Sequence, residues 1–288
     1  KTMNTTTKGF LVVAFIAILM RVIYNYWVYI PAIIHLISDP IQPNQVVQWN
    51  PLPQQSEISE KPNIVLIVAD DMGFSDLSIY GGFRDLIKTP NIDSIGLDGV
   101  LFKNAYAGHA TCAPCRAALL TGRHASKIGY EYTPADATAS WILGSLMGNG
   151  KLKGVYHAGH ASSLNVSAMV LPRSEILLPE VLQSNGYHTV QVGKWHLGSQ
   201  PGYHPIDRGF KESLGFDIIA SYLPSGHKDA VGCHFTDFFD RYLWANSRYE
   251  VKKDEGRSFE PQGYLTDYLS NQASDAITHF SALNQSYF

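Results

Sequence analysis

Cysteine is scarce in this chain, and its scarcity removes one architecture at once. Three cysteines, Cys112, Cys115 and Cys233, in 288 residues cannot staple a disulfide-built scaffold, and the odd number leaves at least one thiol with another task. Charge is thin as well. The 22 basic and 25 acidic residues leave a formal net charge of -3 and no basic stripe of the kind that tracks a phosphate backbone, so no nucleic-acid partner is expected. What the chain does have is apolar mass. With 45% hydrophobic and 12% aromatic residues it can bury a sizeable core, and one α/β domain of up to about 250 residues is the expectation.

A leader-cleavage pattern is also missing. Lys1 and Lys8 precede an apolar run over 9–20, Arg21 interrupts it, and Tyr24, Tyr26, Trp27 and Tyr29 follow, with no Ala-x-Ala site to close a secretory signal. An uncleaved signal anchor is expected, with 9–23 in the hydrocarbon, Arg21 reaching the headgroups and the aromatics in the interfacial belt. A signal peptide with an unrecognised cleavage site is the alternative. The anchor reading makes 1–8 a cytoplasmic tail and 9–38 the membrane segment, and it exports the rest, held at the membrane outside the cytoplasm. Residues 39–61 carry Pro40, Pro43, Pro51 and Pro53 among five glutamines, a composition expected to form an extended spacer. The folded domain then occupies 62–288.

Residues 63–69 are a continuous, β-branched-rich run bounded by Pro62 and ending in Asp70 and Asp71. That pattern predicts a strand buried on both faces of a mostly parallel sheet flanked by helices. The two carboxylates then emerge at the strand's carboxyl end, where open α/β sheets bind ligands and a shared divalent cation relieves their repulsion. A loop with a helix cap is the plainer alternative for such a pair.

From His109 to Arg123 the chain reads His-Ala-Thr-Cys-Ala-Pro-Cys-Arg-Ala-Ala-Leu-Leu-Thr-Gly-Arg. Pro114 near the start and Gly122 past the end frame a helix whose N-terminus lies at Cys112. First-turn amides favour anions, and Arg116 adds a positive fork suited to sulfate or phosphate oxygens. Cys112 and Cys115 also make a Cys-x-x-Cys at a helix start, the arrangement of redox motifs, although Asp70, Asp71 and the Thr-Gly-Arg stop have no role in a redox domain. A zinc knuckle is disfavoured, since Cys233 and His234 supply no second Cys-x-x-Cys. Further on, a short helix over 179–186 and a strand over 187–192 lead to Gly-Lys-Trp-His-Leu-Gly at 193–198. If that segment is extended, Lys194 and His196 point to one side.

Cys-x-Pro-x-Arg with its downstream Thr-Gly resembles the signature of the sulfatase family, of the alkaline phosphatase superfamily, and Gly-Lys-Trp-His-Leu-Gly resembles a second signature of that family. Cys115 is the one departure, standing where the family has Ser, Thr or Ala. The resemblance implies a sulfuric ester hydrolase whose nucleophile is formylglycine made from Cys112 by a formylglycine-generating enzyme. It also implies Arg116, Lys194 and His196 as catalytic residues, Lys194 binding sulfate, and Ca2+ or Mg2+ held by Asp70, Asp71 and the modified Cys112. An aldehyde suits turnover because its hydrate keeps a second hydroxyl that can expel sulfate from the covalent ester. A phosphodiesterase or phosphonate hydrolase of the same superfamily, or a non-catalytic sulfated-glycan binder, are the alternatives.

Residues 205–217 resemble the family's next landmark, after which Ser225 and His227, with Ser221 behind them, are candidates to approach the substrate; an exposed loop is the alternative. His157 and His160 lie in a long connection over 136–170 and are expected as loop histidines near a substrate cleft or in solvent, with a metal pair as the alternative. An amphipathic helix is predicted over 263–280 and a strand from Gln285. The chain opens on Lys1 rather than Met and stops inside that strand, so it is expected to be the N-terminal portion of a longer enzyme, with weak metal affinity and no turnover by itself.

Overall fold

The computed structural model describes residues 5–52, 61–83, 86–131, 170–230 and 238–288. The expectations for His157, His160, Cys233 and His234 fall outside them. The chain divides into two compact units, the first comprising Lys1–Trp49, Val192–Lys194 and Leu214–Asp275, the second Asn50–Gln191, Trp195–Ser213 and Ala276–Phe288.

In the first unit, helix α1 (Thr5–Tyr26) continues through a 3-10 turn (Trp27–Tyr29) into α2 (Ile30–Ser38). Val12, Val13, Phe15 and Ile18 on α1 are exposed, while Val28 in the turn is fully buried where a later helix, Phe238–Asn246, packs. Among the described residues no single helix is long and apolar enough to cross a membrane; the pair Val12–Ile23 and Trp27–Ser38 passes that test only together, with a 44° bend between them. The proline- and glutamine-rich stretch beyond α2 is docked over part of its length. Gln42 forms a parallel bridge with Phe259, donating to the Ser258 carbonyl at 2.8 Å and accepting from Glu260 N–H at 2.9 Å. Trp49 is buried under the Lys253 ammonium, 5.1 Å from its ring centre. Prolines remove donors only at their own positions, and Gln42, between Pro40 and Pro43, keeps both of its backbone groups for pairing.

Three strands, β1 (Val190–Lys194), β2 (Glu212–Phe216) and β3 (Lys252–Lys253), form a sheet in that order. β2 and β3 run antiparallel, with Leu214 opposite Lys253 and Gly215 opposite Lys252. That pair departs from the mostly parallel sheet the sequence predicts. At Gly215 a Cβ would fall 1.8 Å from the Gly193 carbonyl oxygen, so β1 and β2 approach there only because no side chain intervenes.

The second unit holds α3 (Pro90–Asp98), α4 (Cys112–Thr121), α5 (Ala125–Ile128) and α6 (Leu178–Ser184). Past α6, His188 bridges Tyr287 in parallel, and Val190 N–H donates to the Phe288 carbonyl at 2.7 Å. Of the strand expected from Gln285, the structure forms this isolated bridge at Tyr287. The strand predicted over 63–69 does not form. Ile64 N–H reaches the Tyr287 carbonyl at 3.0 Å, but Val65, Leu66, Ile67 and Val68 run on outside any ladder, and all four are exposed. A β-branched run becomes a strand only where another backbone lies beside it. The final helix, Leu265–Ala282, matches the amphipathic pattern, beginning two residues later than predicted.

Burial in the second unit includes charge. His188 Nε2 and Glu212 Oε1 lie 2.8 Å apart with both side chains buried, the other Glu212 oxygen accepts Asn50 N–H at 3.0 Å, and Phe280 packs against the imidazole. Arg208, 2% exposed, donates to the carbonyls of Leu171 at 3.0 Å and Glu175 at 2.8 Å and to Glu180 Oε1 at 3.2 Å.

Candidate active site

Helix α4 begins at Cys112, as the sequence predicts. Pro114 is its third residue rather than its first, which the fold tolerates because first-turn N–H groups have no partner within a helix. Thr111 precedes the helix in extended conformation (φ -107°, ψ 151°) and its side chain does not cap it; its hydroxyl lies 2.9 Å from His109 Nδ1 instead. The N-terminal end therefore keeps its positive pole without a side-chain cap, an electrostatic setting that favours an anion. The helix stops at Gly122 in left-handed conformation (φ 65°), where a side chain would be strained. Beyond it Arg123 pairs with Glu175.

Small residues seat this helix. Ala113, Pro114 and Ala117 are buried, and the two alanines join a core built with Ile128, Tyr130, Leu171, Leu177, Trp195, Leu197 and Phe210. Trp195 meets Phe210 edge-on, ring centres 6.0 Å apart, and its indole N–H donates to the Tyr203 carbonyl at 2.9 Å. Cys112 and Cys115 remain half-buried with free thiols.

Asp70 and Arg116 are brought together. Arg116 Nη2 lies 3.2 Å from Asp70 Oδ1, the guanidinium mostly buried and the carboxylate half open. A pair this exposed contributes little stability, so its significance is positional: it fixes the end of 63–70 beside the first turn of α4. Asp71 follows with φ 57°, a left-handed turn that carries the chain out of extended conformation. Among the described residues, however, no three His, Cys, Asp or Glu side chains cluster closely enough to hold a metal ion. A hard cation takes six or more oxygens, so Asp70 and Asp71 do not make a cation site by themselves.

Tyr130 is a neighbour that sequence reasoning missed. It is buried, and burial first, then the charge Cys112 can carry, pushes its phenol well above the ordinary tyrosine range; its hydroxyl lies 3.5 Å from the His196 carbonyl. A lone tyrosine in an ordinary loop gives no signal of this. His196 itself is buried, 3% exposed, with φ 63°, so the extended alternation predicted across Trp195 ends with β1 at Lys194. Lys194, Ser225 and His227 belong to the other compact unit. His227 is half-buried in a turn, its Nδ1 accepting Asp229 N–H at 3.2 Å, and half-buried Ser221 donates to the Leu223 carbonyl at 3.0 Å.

A family model described as Sulfatase matches residues 62–279. N-acetylgalactosamine-6-sulfatase of Mus musculus is 38% identical over 240 residues, 80% of this chain and 38% of its own length. Arylsulfatase G of Rattus norvegicus is 37% identical over 155 residues, 54% of this chain and 24% of its own. A solved structure described as Ps i-CgsB in complex with k-i-k-neocarrahexaose aligns with TM-score 0.54 and 29% identity, covering 76% of this chain and 42% of that one. The chain thus spans well under half the length of these relatives.

Proposed function

The chain belongs to the sulfatase family, and from that premise we propose that it is the nucleophile-bearing portion of a sulfuric ester hydrolase acting on a sulfated saccharide, with Cys112 as the precursor of the nucleophile. The observation that carries the reading is the uncapped start of α4 at Cys112, with Arg116 one turn on and tied to Asp70. Converted to formylglycine, residue 112 would supply a hydrated aldehyde as nucleophile. Around it this chain offers fixed positive potential. The first-turn amides of α4 and the Arg116 guanidinium stabilise charge on sulfuryl oxygens, and they cost no reorganisation because the buried face of α4 and the Asp70 pair already hold them in place. Lys194 and His196 enter on the Gly-Lys-Trp-His-Leu-Gly resemblance, Lys194 for the sulfate group. Since Asp70 and Asp71 fall short of a cation shell among the described residues, we assign no step to a metal. The saccharide rests on the names of two of the similar proteins, a sugar sulfatase and a structure holding an oligosaccharide, against the arylsulfatase name of a third.

Co-expression with a formylglycine-generating enzyme, followed by mass spectrometry of the tryptic peptide 104–116, tests the assignment. The aldehyde is expected at position 112. A peptide that keeps its thiol mass while a control sulfatase is converted refutes the reading. In protein that turns over sulfate esters, Arg116→Ala should lower kcat by about a hundredfold.

Export and tethering through residues 9–38 belong to the same proposal, supported by the exposed apolar side chains of α1 and α2. A reporter fused after Lys61 should be carried across a membrane and stay with it; a shortened soluble product would sink the tether.

A further inference from the structure

The Cys-x-x-Cys at the head of α4 is not used by a sulfatase reading, which needs only the first cysteine. Both thiols are free and half-buried, neither enclosed by the core, whereas Ala113 and Pro114 between them are buried. Residues three apart in a helix lie on one face, and helix geometry sets their Cα atoms about 5 Å apart, inside the window a disulfide spans. Cys115 N–H is already bonded to the Thr111 carbonyl at 3.1 Å, so the turn that carries the pair is formed before any sulfur bond.

We infer that Cys112 and Cys115 form a reversible disulfide that withholds the unconverted nucleophile. The exchange is balanced with a small-molecule disulfide as oxidant. The Cys112 thiolate attacks one sulfur of oxidised glutathione and expels one glutathione thiolate; the Cys115 thiolate then attacks the Cys112 sulfur of the mixed disulfide and expels the second. The protein loses two electrons and two protons, and glutathione disulfide leaves as two thiols. Residue 112 in the closed form has no thiol to convert, so the pair acts as a redox gate on maturation. That consequence, though not the disulfide, rests on the formylglycine reading above.

The test uses the full chain, unconverted, equilibrated in glutathione buffers from reducing to oxidising, alkylated and digested with trypsin. Peptide 104–116 contains both cysteines, and Cys233 lies in another peptide. In oxidising buffer about nine-tenths of peptide 104–116 should resist alkylation and weigh two hydrogens less than the dithiol, and reductant should restore double alkylation. Thiols that alkylate in every buffer, that stop at the glutathione adduct, or that link to Cys233 overturn the inference. A second arm adds the formylglycine-generating enzyme. In a buffer whose glutathione disulfide is too dilute to hold a mixed disulfide on Cys115→Ala or Cys115→Ser, conversion of the native chain should fall at least about tenfold, while both variants convert as they do in reducing buffer. Equal conversion of the native chain in both buffers overturns the gate. A chain that closes the disulfide yet yields no aldehyde in reducing buffer upholds the disulfide and refutes the formylglycine reading instead.

Discussion

Replacing Arg208 by Met keeps a long apolar stem in the same volume and removes every donor. The native guanidinium, 2% exposed, holds two main-chain carbonyls, Leu171 at 3.0 Å and Glu175 at 2.8 Å. Hydrogen bonds from a charged donor are each worth roughly 1.5–3 kcal/mol, so losing both costs about 3–6 kcal/mol. The third bond goes to Glu180, whose side chain is 29% exposed and can turn to water, so it adds less than about 1 kcal/mol. A destabilisation of at least about 3 kcal/mol is the expected outcome, a large part of the roughly 5–15 kcal/mol that holds a domain together. Arg208→Lys keeps the charge but loses the planar fork, and should fall between native and Met. Urea unfolding followed by tryptophan fluorescence reads the change, since Trp195 lies in the core that Leu171 shares. A loss below about 1 kcal/mol for Arg208→Met, at unchanged denaturant slope, would show that the carbonyls find other donors and that Arg208 does not organise this core.

Two further outcomes follow from the described geometry. Burial and the neighbouring Cys112 charge raise the Tyr130 phenol, and burial with the Tyr249 charge raises Tyr268 to about 12. An unfolded tyrosine loses its proton near pH ~10, so stability should be full below that and fall as pH rises through the window up to the folded values. Urea midpoints at increasing alkalinity should decline less steeply in Tyr130→Phe and Tyr268→Phe, and an unchanged slope in both would remove these groups from the account. Calorimetric titration of the 288-residue chain with Ca2+ should find binding no tighter than about 10⁻⁴ M; a micromolar, one-to-one site would mean that ligands outside the described residues complete a shell with Asp70 and Asp71.

Where sequence and structure agree, the signal is local. Helix α4 is legible because a first-turn proline and a left-handed glycine punctuate it, and Leu265–Ala282 because its apolar residues recur at helical spacing. What escaped notice depends on distant partners. Nothing in the run over 63–69 says which backbone will lie beside it, and its β-branched residues look the same paired or bare. Arg208 reads as a surface charge until two carbonyls from an earlier loop converge on it. Tyr130 became a site neighbour only through the fold, and the positive φ of His196 broke an alternation that assumed an extended chain.

The pairing of the segment around Asn63 with the chain's last residues sets a timetable for synthesis. The Asn63 side chain accepts Tyr287 N–H across 224 residues, next to the Ile64 bond to the same residue. At roughly 5–20 residues per second, the segment leaves the ribosome on the order of ten to forty-five seconds before its partner. Throughout that interval the Ile64 N–H and the Asn63 side chain wait for the backbone that pairs with them, beside the apolar run Val65, Leu66, Ile67 and Val68, which stays exposed even in the folded chain. Slower translation lengthens the wait, so yield of folded protein should depend on elongation rate and on any chaperone that can shield Asn63 and Ile64 until Tyr287 arrives.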